Sequence, residues 1–245
     1  MDTIQIIPLE SLALAFIPVA VVLVILFKWR SDGREALLGI SRMLVQLLIV
    51  GYFLTFLFEA ENAWIVICVL AVMLFVSSWI SLRTVKIYRK VLYPLALTSI
   101  IIGGGAVLIV ITQGVIGLDP WYTPQYLVPL AGMIFSSSMN SISLGAERIK
   151  AEMARGVPYD KARSIALRAA LIPIVNALFG VGLVSLPGMM TGQILSGVSP
   201  LIAVRYQIMV MCMLFSASGI SAALFLMLIK SHLLALNEKK QRELL

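Results

Sequence analysis

Seven apolar runs, each close to the length of a membrane-crossing helix, constrain this chain more than any other feature. They lie at about 9–27, 37–58, 64–82, 92–112, 127–143, 171–195 and 203–229. A helix of about 20 apolar residues, rising about 1.5 Å per residue, crosses a hydrocarbon core of about 30 Å. No stretch alternates apolar and polar residues with period two, as the strands of a membrane barrel do. Charged residues make up 13% of the chain, where soluble domains carry roughly a quarter. The expectation is an all-α polytopic integral membrane protein of seven helices, with residues 1–245 forming a single transmembrane domain.

The placement of charge orients it. Lys28, Arg30 and Arg34 follow the first run, and Arg83, Lys86, Arg89 and Lys90 follow the third. Arg148, Lys150, Arg155, Lys161, Arg163 and Arg168 follow the fifth, and Lys230, Lys239, Lys240 and Arg242 follow the seventh. The intervening loops carry only Glu59, Glu61 and Asp119. The positive-inside rule then places the N-terminus outside and the C-terminus in the cytoplasm. The net charge of +7 is a topology signal, with a contribution from anionic headgroups of the surrounding lipid, and not a nucleic-acid footprint. The N-terminal stretch carries acidic Asp2 and Glu10 in place of a basic region and shows no small-residue cleavage site, so the first run reads as a span and not a signal peptide. Cys68 and Cys212 fall inside runs, and no Cys/His spacing suggests zinc. His232 reads as an interfacial residue of the basic tail.

Within the runs, a few residues depart from the apolar pattern. Pro18 predicts a kink in the first helix, which reads as peripheral and lipid-facing. Arg42 and Gln46 lie one turn apart in the second run, either snorkelling to headgroups or turned into the bundle. Trp64 and Trp79 read as interfacial anchors. Gly103 to Ala106 read GGGA, a close-packing surface or a flexible point. Five serines and Asn140 crowd the inner half of the fifth run, and Met133, Ser136, Asn140, Ser143 and Glu147 share one helical face. Such a stripe serves interhelical hydrogen bonding, a translocation path, or both. In the sixth run Pro187 withholds a donor from the carbonyl of Leu183, and Gly180, Gly188 and Gly192 fall on one row. Met189 and Met190 follow. Thioethers suit soft ions such as copper(I), and they also fill cores. Arg205, Tyr206 and Gln207 form a polar collar at the outer end of the seventh run, an anchor or the mouth of a path.

Residues 145–170 form the one long cytoplasmic loop. Gly156, Val157 and Pro158 interrupt helical pattern, which predicts helix, tight turn and helix. The segment lacks a sustained apolar face, which favours docking of a partner over lying on the membrane. Glu152, Ala154, Arg155, Gly156, Pro158 and Lys161 form the expected docking face. No acidic residue or histidine lies mid-span to power a proton-driven cycle. No lysine follows a glycine, so there is no GxxxxGK phosphate loop, and the ligands of zinc and aspartyl membrane proteases are missing. The chain reads as a pathway without its own motor and without a catalytic site. It works with a separate ATPase or, alternatively, alone as a channel or carrier.

The strings SRMLVQLLIVGY, AGMIFSSSMNSISLG, RAALIPIVNALFGVGLVSLPGMMTG and VRYQIMV, spread over essentially the whole chain, resemble the FetB family of ABC-transporter permeases. These are bacterial iron-export permeases related to plant aluminium-tolerance permeases, and VGLVSLPGMMTG is the most specific string. The resemblance implies an inner (plasma) membrane permease, paired as a homodimer with two ATP-binding subunits that carry ATP and magnesium. It also implies iron export, linked to resistance to oxidative stress; a permease for a lipid or peptide is the alternative. No cofactor is expected on this chain. By the same resemblance Arg42, Gln46, Asn140, Ser185, Pro187, Met189 and Met190 belong to the path, with Met189 and Met190 as metal ligands. The stripe adds Met133 and Ser136. MARGVPYDKARSIALRAALIP is similar to the coupling pattern EAA-x3-G-x9-I-x-L-P of ABC permeases, but the EAA triplet is missing. Gly156 and Pro173 also stand four residues further apart than in that pattern, about one helical turn.

Overall fold

The computed structural model describes residues 7–58 and 62–233. Glu59, Glu61, Lys239, Lys240 and Arg242, used above to orient the chain, lie outside the described residues. The described residues are all-α, with seven helices long and apolar enough to cross a membrane among them. The described residues gather into two compact units, one within residues 1–60 and the other within 61–245.

The first unit comprises α1 (Leu9–Leu14), α2 (Phe16–Lys28) and α3 (Gly33–Phe58). The first run is broken at Ala15, where the Ala15 amide donates back to the Leu12 carbonyl at 3.1 Å. Pro18 explains the position, since it has no N–H for the carbonyl of Leu14, four residues earlier. α2 returns to α3 through a tight turn in which the Ser31 amide donates to the Leu26 carbonyl at 2.9 Å. The Phe27 ring fills the space in which Gly33 would carry a Cβ, 3.1 Å away.

The second unit comprises α4 (Ala63–Ser81), a 3₁₀ segment (Arg83–Tyr88), α5 (Arg89–Ile109) running into a π-helical turn (Val110–Ile116), α6 (Pro124–Ala154), α7 (Tyr159–Gly180), α8 (Gly188–Leu195) and α9 (Pro200–Leu228). α6 is its centre and packs against α4, α5, α7 and α9. Small residues let the helices approach. A Cβ on Gly103 would stand 2.5 Å from Ser221 Oγ and 2.8 Å from the Ser221 amide nitrogen, while Gly104 faces Ile134. Gly103 therefore acts as a packing surface toward α9 and Gly104 as one toward α6. At the far end of α4, the Arg89 guanidinium lies 3.8 Å from the centre of the Trp79 ring and donates from Nε to the Trp79 carbonyl at 3.0 Å. Trp79 thus clamps α4 to α5.

The sixth run departs from expectation. It is not one helix over 171–195: α7 begins at Tyr159, ends at Gly180, and is followed by an irregular turn before α8. Pro187 is not inside a helix but is the N-cap of α8, with extended backbone. The turn closes on Gly180, whose carbonyl accepts from the amides of Leu183, Val184 and Ser185, while Gly182 takes φ +80°. Proline forces the preceding residue away from helical geometry, and glycine tolerates positive φ without strain. Gly182 lets the chain turn just after α7 and Pro187 starts α8, where hydropathy alone continues one helix. The row of Gly180, Gly188 and Gly192 accordingly does not exist as one face.

Candidate functional site

The serines of α6 divide into two sets. Ser137 Oγ lies 2.6 Å from Ser218 Oγ on α9, Ser138 donates to the Ala217 carbonyl at 3.3 Å, and Ser221 donates to Ser138 at 3.1 Å. Ser138, Ser218 and Ser221 are fully buried. Each such bond between membrane helices contributes only about 0.6 kcal/mol on average, but here they sit beside the Gly103 contact and hold α5, α6 and α9 together. Ser136 and Asn140, on the expected stripe, are exposed instead. With Gly132, Met133 and Leu214 they line an open groove of about 550 Å³. Hydrogen bonding and a polar groove coexist, and Ser137 takes part in both. The stripe does not continue as a single wall: Ser143 accepts through its carbonyl from Thr84 at 3.4 Å, and Glu147 is exposed further along.

Two smaller cavities adjoin this groove. One, of about 250 Å³, shares Met133 with it and is closed by Tyr126, Met189, Tyr206 and Met209. The other, of about 170 Å³, shares Ser137 and Asn140 with it and is closed by Ala170, Pro173, Ala177 and Ser218. The three follow α6 in order from Gln125 to Leu144. At about 1.5 Å per residue that stretch spans about 28 Å, close to the roughly 30 Å of a hydrocarbon core.

Of the expected path residues, Met133, Ser136, Asn140 and Met189 meet along this track. Met190 is half-buried but lines none of the three cavities. Ser185 is exposed in the turn before α8, and Pro187 starts that helix. Arg42 and Gln46 are exposed on α3, in the first unit, and Arg42 makes no ion pair with another described residue. The collar at 205–207 separates: Tyr206 lines the 250 Å³ cavity, Gln207 is buried, and Arg205 is exposed. Met209 was missed by sequence reasoning. The signal was its position three residues after Tyr206, one turn along the same face of α9.

The loop at 145–170 is a hairpin made from the ends of two long helices. α6 runs unbroken to Ala154, Gly156 turns the chain at φ +79°, and Pro158 caps α7. Ala154, Arg155, Gly156, Pro158 and Lys161 are exposed on its tip. Glu152 does not share that surface. It is 5% exposed, and its Oε1 is approached by Arg148 Nη2 at 2.7 Å and Arg155 Nη1 at 3.5 Å, without the alignment of a hydrogen bond. It holds the two arginines from beneath. The hairpin is also tied to the last turn of α9, where the Tyr159 hydroxyl donates to the Leu226 carbonyl and Lys230 Nζ lies 3.7 Å from Asp160. The Leu226 carbonyl is among the last four of its helix, which lack intrahelical donors, so Tyr159 acts as a cap supplied by another segment.

Seven helices among the described residues are long and apolar enough to cross a membrane, and the second unit carries a side-chain-lined track along α6; together they define a polytopic membrane permease. The chain belongs to the Uncharacterised protein family (UPF0014), which matches residues 9–163 and 158–234. It is 40% identical over 200 residues to a UPF0014 membrane protein of Synechocystis, covering 74% of this chain and 76% of that one. It is 33% identical over 229 residues to the "Probable iron export permease protein FetB" of Escherichia coli, covering 86% of each. It is 29% identical over 204 residues to "Protein ALUMINUM SENSITIVE 3" of Arabidopsis thaliana, covering 77% and 73%. No solved structure matches.

Proposed function

We propose that this protein is the membrane subunit of an ABC transporter that exports a metal, iron by the name of the Escherichia coli relative, on ATP hydrolysed by a separate ATP-binding subunit. The observation that carries the reading is the run of three adjoining cavities along α6, about as long as a hydrocarbon core is thick (~30 Å). The chain stands in the inner membrane, N-terminus outside and C-terminus in the cytoplasm, as a homodimer with two ATPase subunits; ATP and magnesium are held there. The exposed hairpin tip, with Ala154, Arg155, Gly156, Pro158 and Lys161, docks the ATPase. α6 and α7 run unbroken from that tip to the cavity walls at Asn140 and Ala170. ATP-driven closure of the ATPase pair then moves two rigid levers and, through Tyr159 and Lys230, the end of α9. The irregular turn after Gly180 and the π-helical turn after Ile109 are the points at which the path yields.

Uptake of radiolabelled iron into inside-out vesicles, with and without the cognate ATPase, tests this. ATP-dependent accumulation that requires both chains is expected. Accumulation without the ATPase would instead establish a partner-independent carrier or channel, and no ATP-dependent iron movement with an active, bound ATPase would remove iron as the cargo.

A further inference from the structure

Met133 on α6, Met189 on α8 and Met209 on α9 come from three helices and share the walls of the 250 Å³ cavity at the Gln125 end of the track. All three are half-buried, packed on one side and open to the cavity on the other. Tyr126, Tyr206 and Gln125 add neutral oxygen-bearing groups to the walls. No carboxylate, imidazole or thiol lines the cavity, and no group of three or more His, Cys, Asp or Glu residues able to hold a metal occurs among the described residues. One turn after Met189 on the same face of α8, Gln193 carries a buried amide oxygen without a hydrogen-bond partner among the described residues.

Thioether sulfur is neutral, polarizable and soft, and it favours copper(I)-like ions, whereas iron and other harder ions favour oxygen and nitrogen donors. A site of neutral ligands also discriminates by charge, because the penalty of moving an ion out of water rises with the square of its charge while neutral donors compensate less than a carboxylate does. Softness and charge select together. We propose that this cavity is a soft-ion subsite in which Met133, Met189 and Met209 coordinate a monovalent, thioether-preferring cation of the copper(I) and silver(I) class. The proposal rests on the reading of the three cavities as the transport path. It replaces the metal of that reading, iron by the relative's name, with a soft, singly charged ion, and sets three thioethers beside the neutral oxygen donors of Gln125, Tyr126 and Tyr206. Met190, which lines no part of the cavity, is not a ligand.

The test uses the full-length protein with Cys68→Ser and Cys212→Ser, both exposed positions, purified in detergent. Silver(I) is the probe, and the metal retained after desalting is read by mass spectrometry. One equivalent is expected, with binding at least tenfold weaker in Met133→Leu, Met189→Leu and Met209→Leu and unchanged in Met190→Leu. Leucine nearly conserves the volume of methionine and keeps the packing, which a melting curve on each variant checks. Equal retention in the triple leucine variant, or no retention in its cysteine-free parent, overturns the proposal. ATP-driven iron transport with the partner ATPase is read separately. Silver binding that persists where neither iron nor silver(I) is moved on ATP supports the subsite and sinks the transporter reading, while loss of the subsite with iron transport intact does the reverse.

Discussion

Placing the same methyl group at three successive positions of α5 separates packing from flexibility in the glycine run. At Gly103 the added Cβ would stand 2.5 Å from Ser221 Oγ, 2.8 Å from the Ser221 amide nitrogen and 3.0 Å from its Cα. The hydroxyl can rotate away, but the backbone cannot, so α5 and α9 must part. At Gly104 the nearest atom is a methyl of Ile134 at 3.0 Å, and at Gly105 nothing lies within 4 Å. Alanine in place of glycine in a helix gains about 1 kcal/mol, while overpacking costs about 1–3 kcal/mol. Gly105→Ala should therefore gain up to about 1 kcal/mol, and Gly104→Ala should fall between the other two, since the methyl it meets is fixed to the Cβ of Ile134, a buried and stiff β-branched side chain. Gly103→Ala should lose up to about 2 kcal/mol net. The spread between the first and the last is about 1–3 kcal/mol, or roughly 2–12 °C in melting temperature at about 2–4 °C per kcal/mol. Thermal unfolding in detergent, followed by tryptophan fluorescence, measures it. If Gly103→Ala melts level with or above Gly105→Ala, the glycine run is not a packing contact and the flexible-point reading takes its place.

Three further outcomes follow from the same geometry. Tyr159→Phe removes the donor to the Leu226 carbonyl at a cost of about 1 kcal/mol; it should lower the stimulation of the partner ATPase while leaving the complex assembled, and unchanged stimulation would show that α9 takes no part in coupling. Lys161→Glu reverses an exposed charge on the hairpin tip without touching the backbone and should weaken co-purification of the ATPase; Gly156→Trp is a poorer probe, because φ +79° strains any side chain there. Ser136→Phe projects a ring into the 550 Å³ groove from an exposed position and should cut vesicle transport at least tenfold at unchanged expression, whereas transport at the parent rate would remove the groove from the path.

The number of membrane crossings and the helical class are legible in the sequence because the bilayer acts on each residue singly. A run of about 20 apolar residues must satisfy its backbone internally wherever it packs. The turn at Gly156 and Pro158 is legible for a related reason, since backbone geometry at glycine and proline is a local property. Pairwise choices are not legible in this way. Ser136, Ser137 and Ser138 are the same residue type on adjacent positions, and only the approach of α9 decides which bonds to Ser218 and Ser221 and which faces the groove. Glu152 looks like a docking charge in the sequence, yet packing buries it under two arginines. The sixth run is apolar through Leu195, and hydropathy cannot see the glycine turn that follows Gly180 or the proline that starts α8. That break places Met189 in the wall shared with Met133 and Met209 and leaves its neighbour Met190 outside. Solvent preference is a property of one residue and can be read along the chain, whereas the assembly of three thioethers from three helices exists only once those helices have packed.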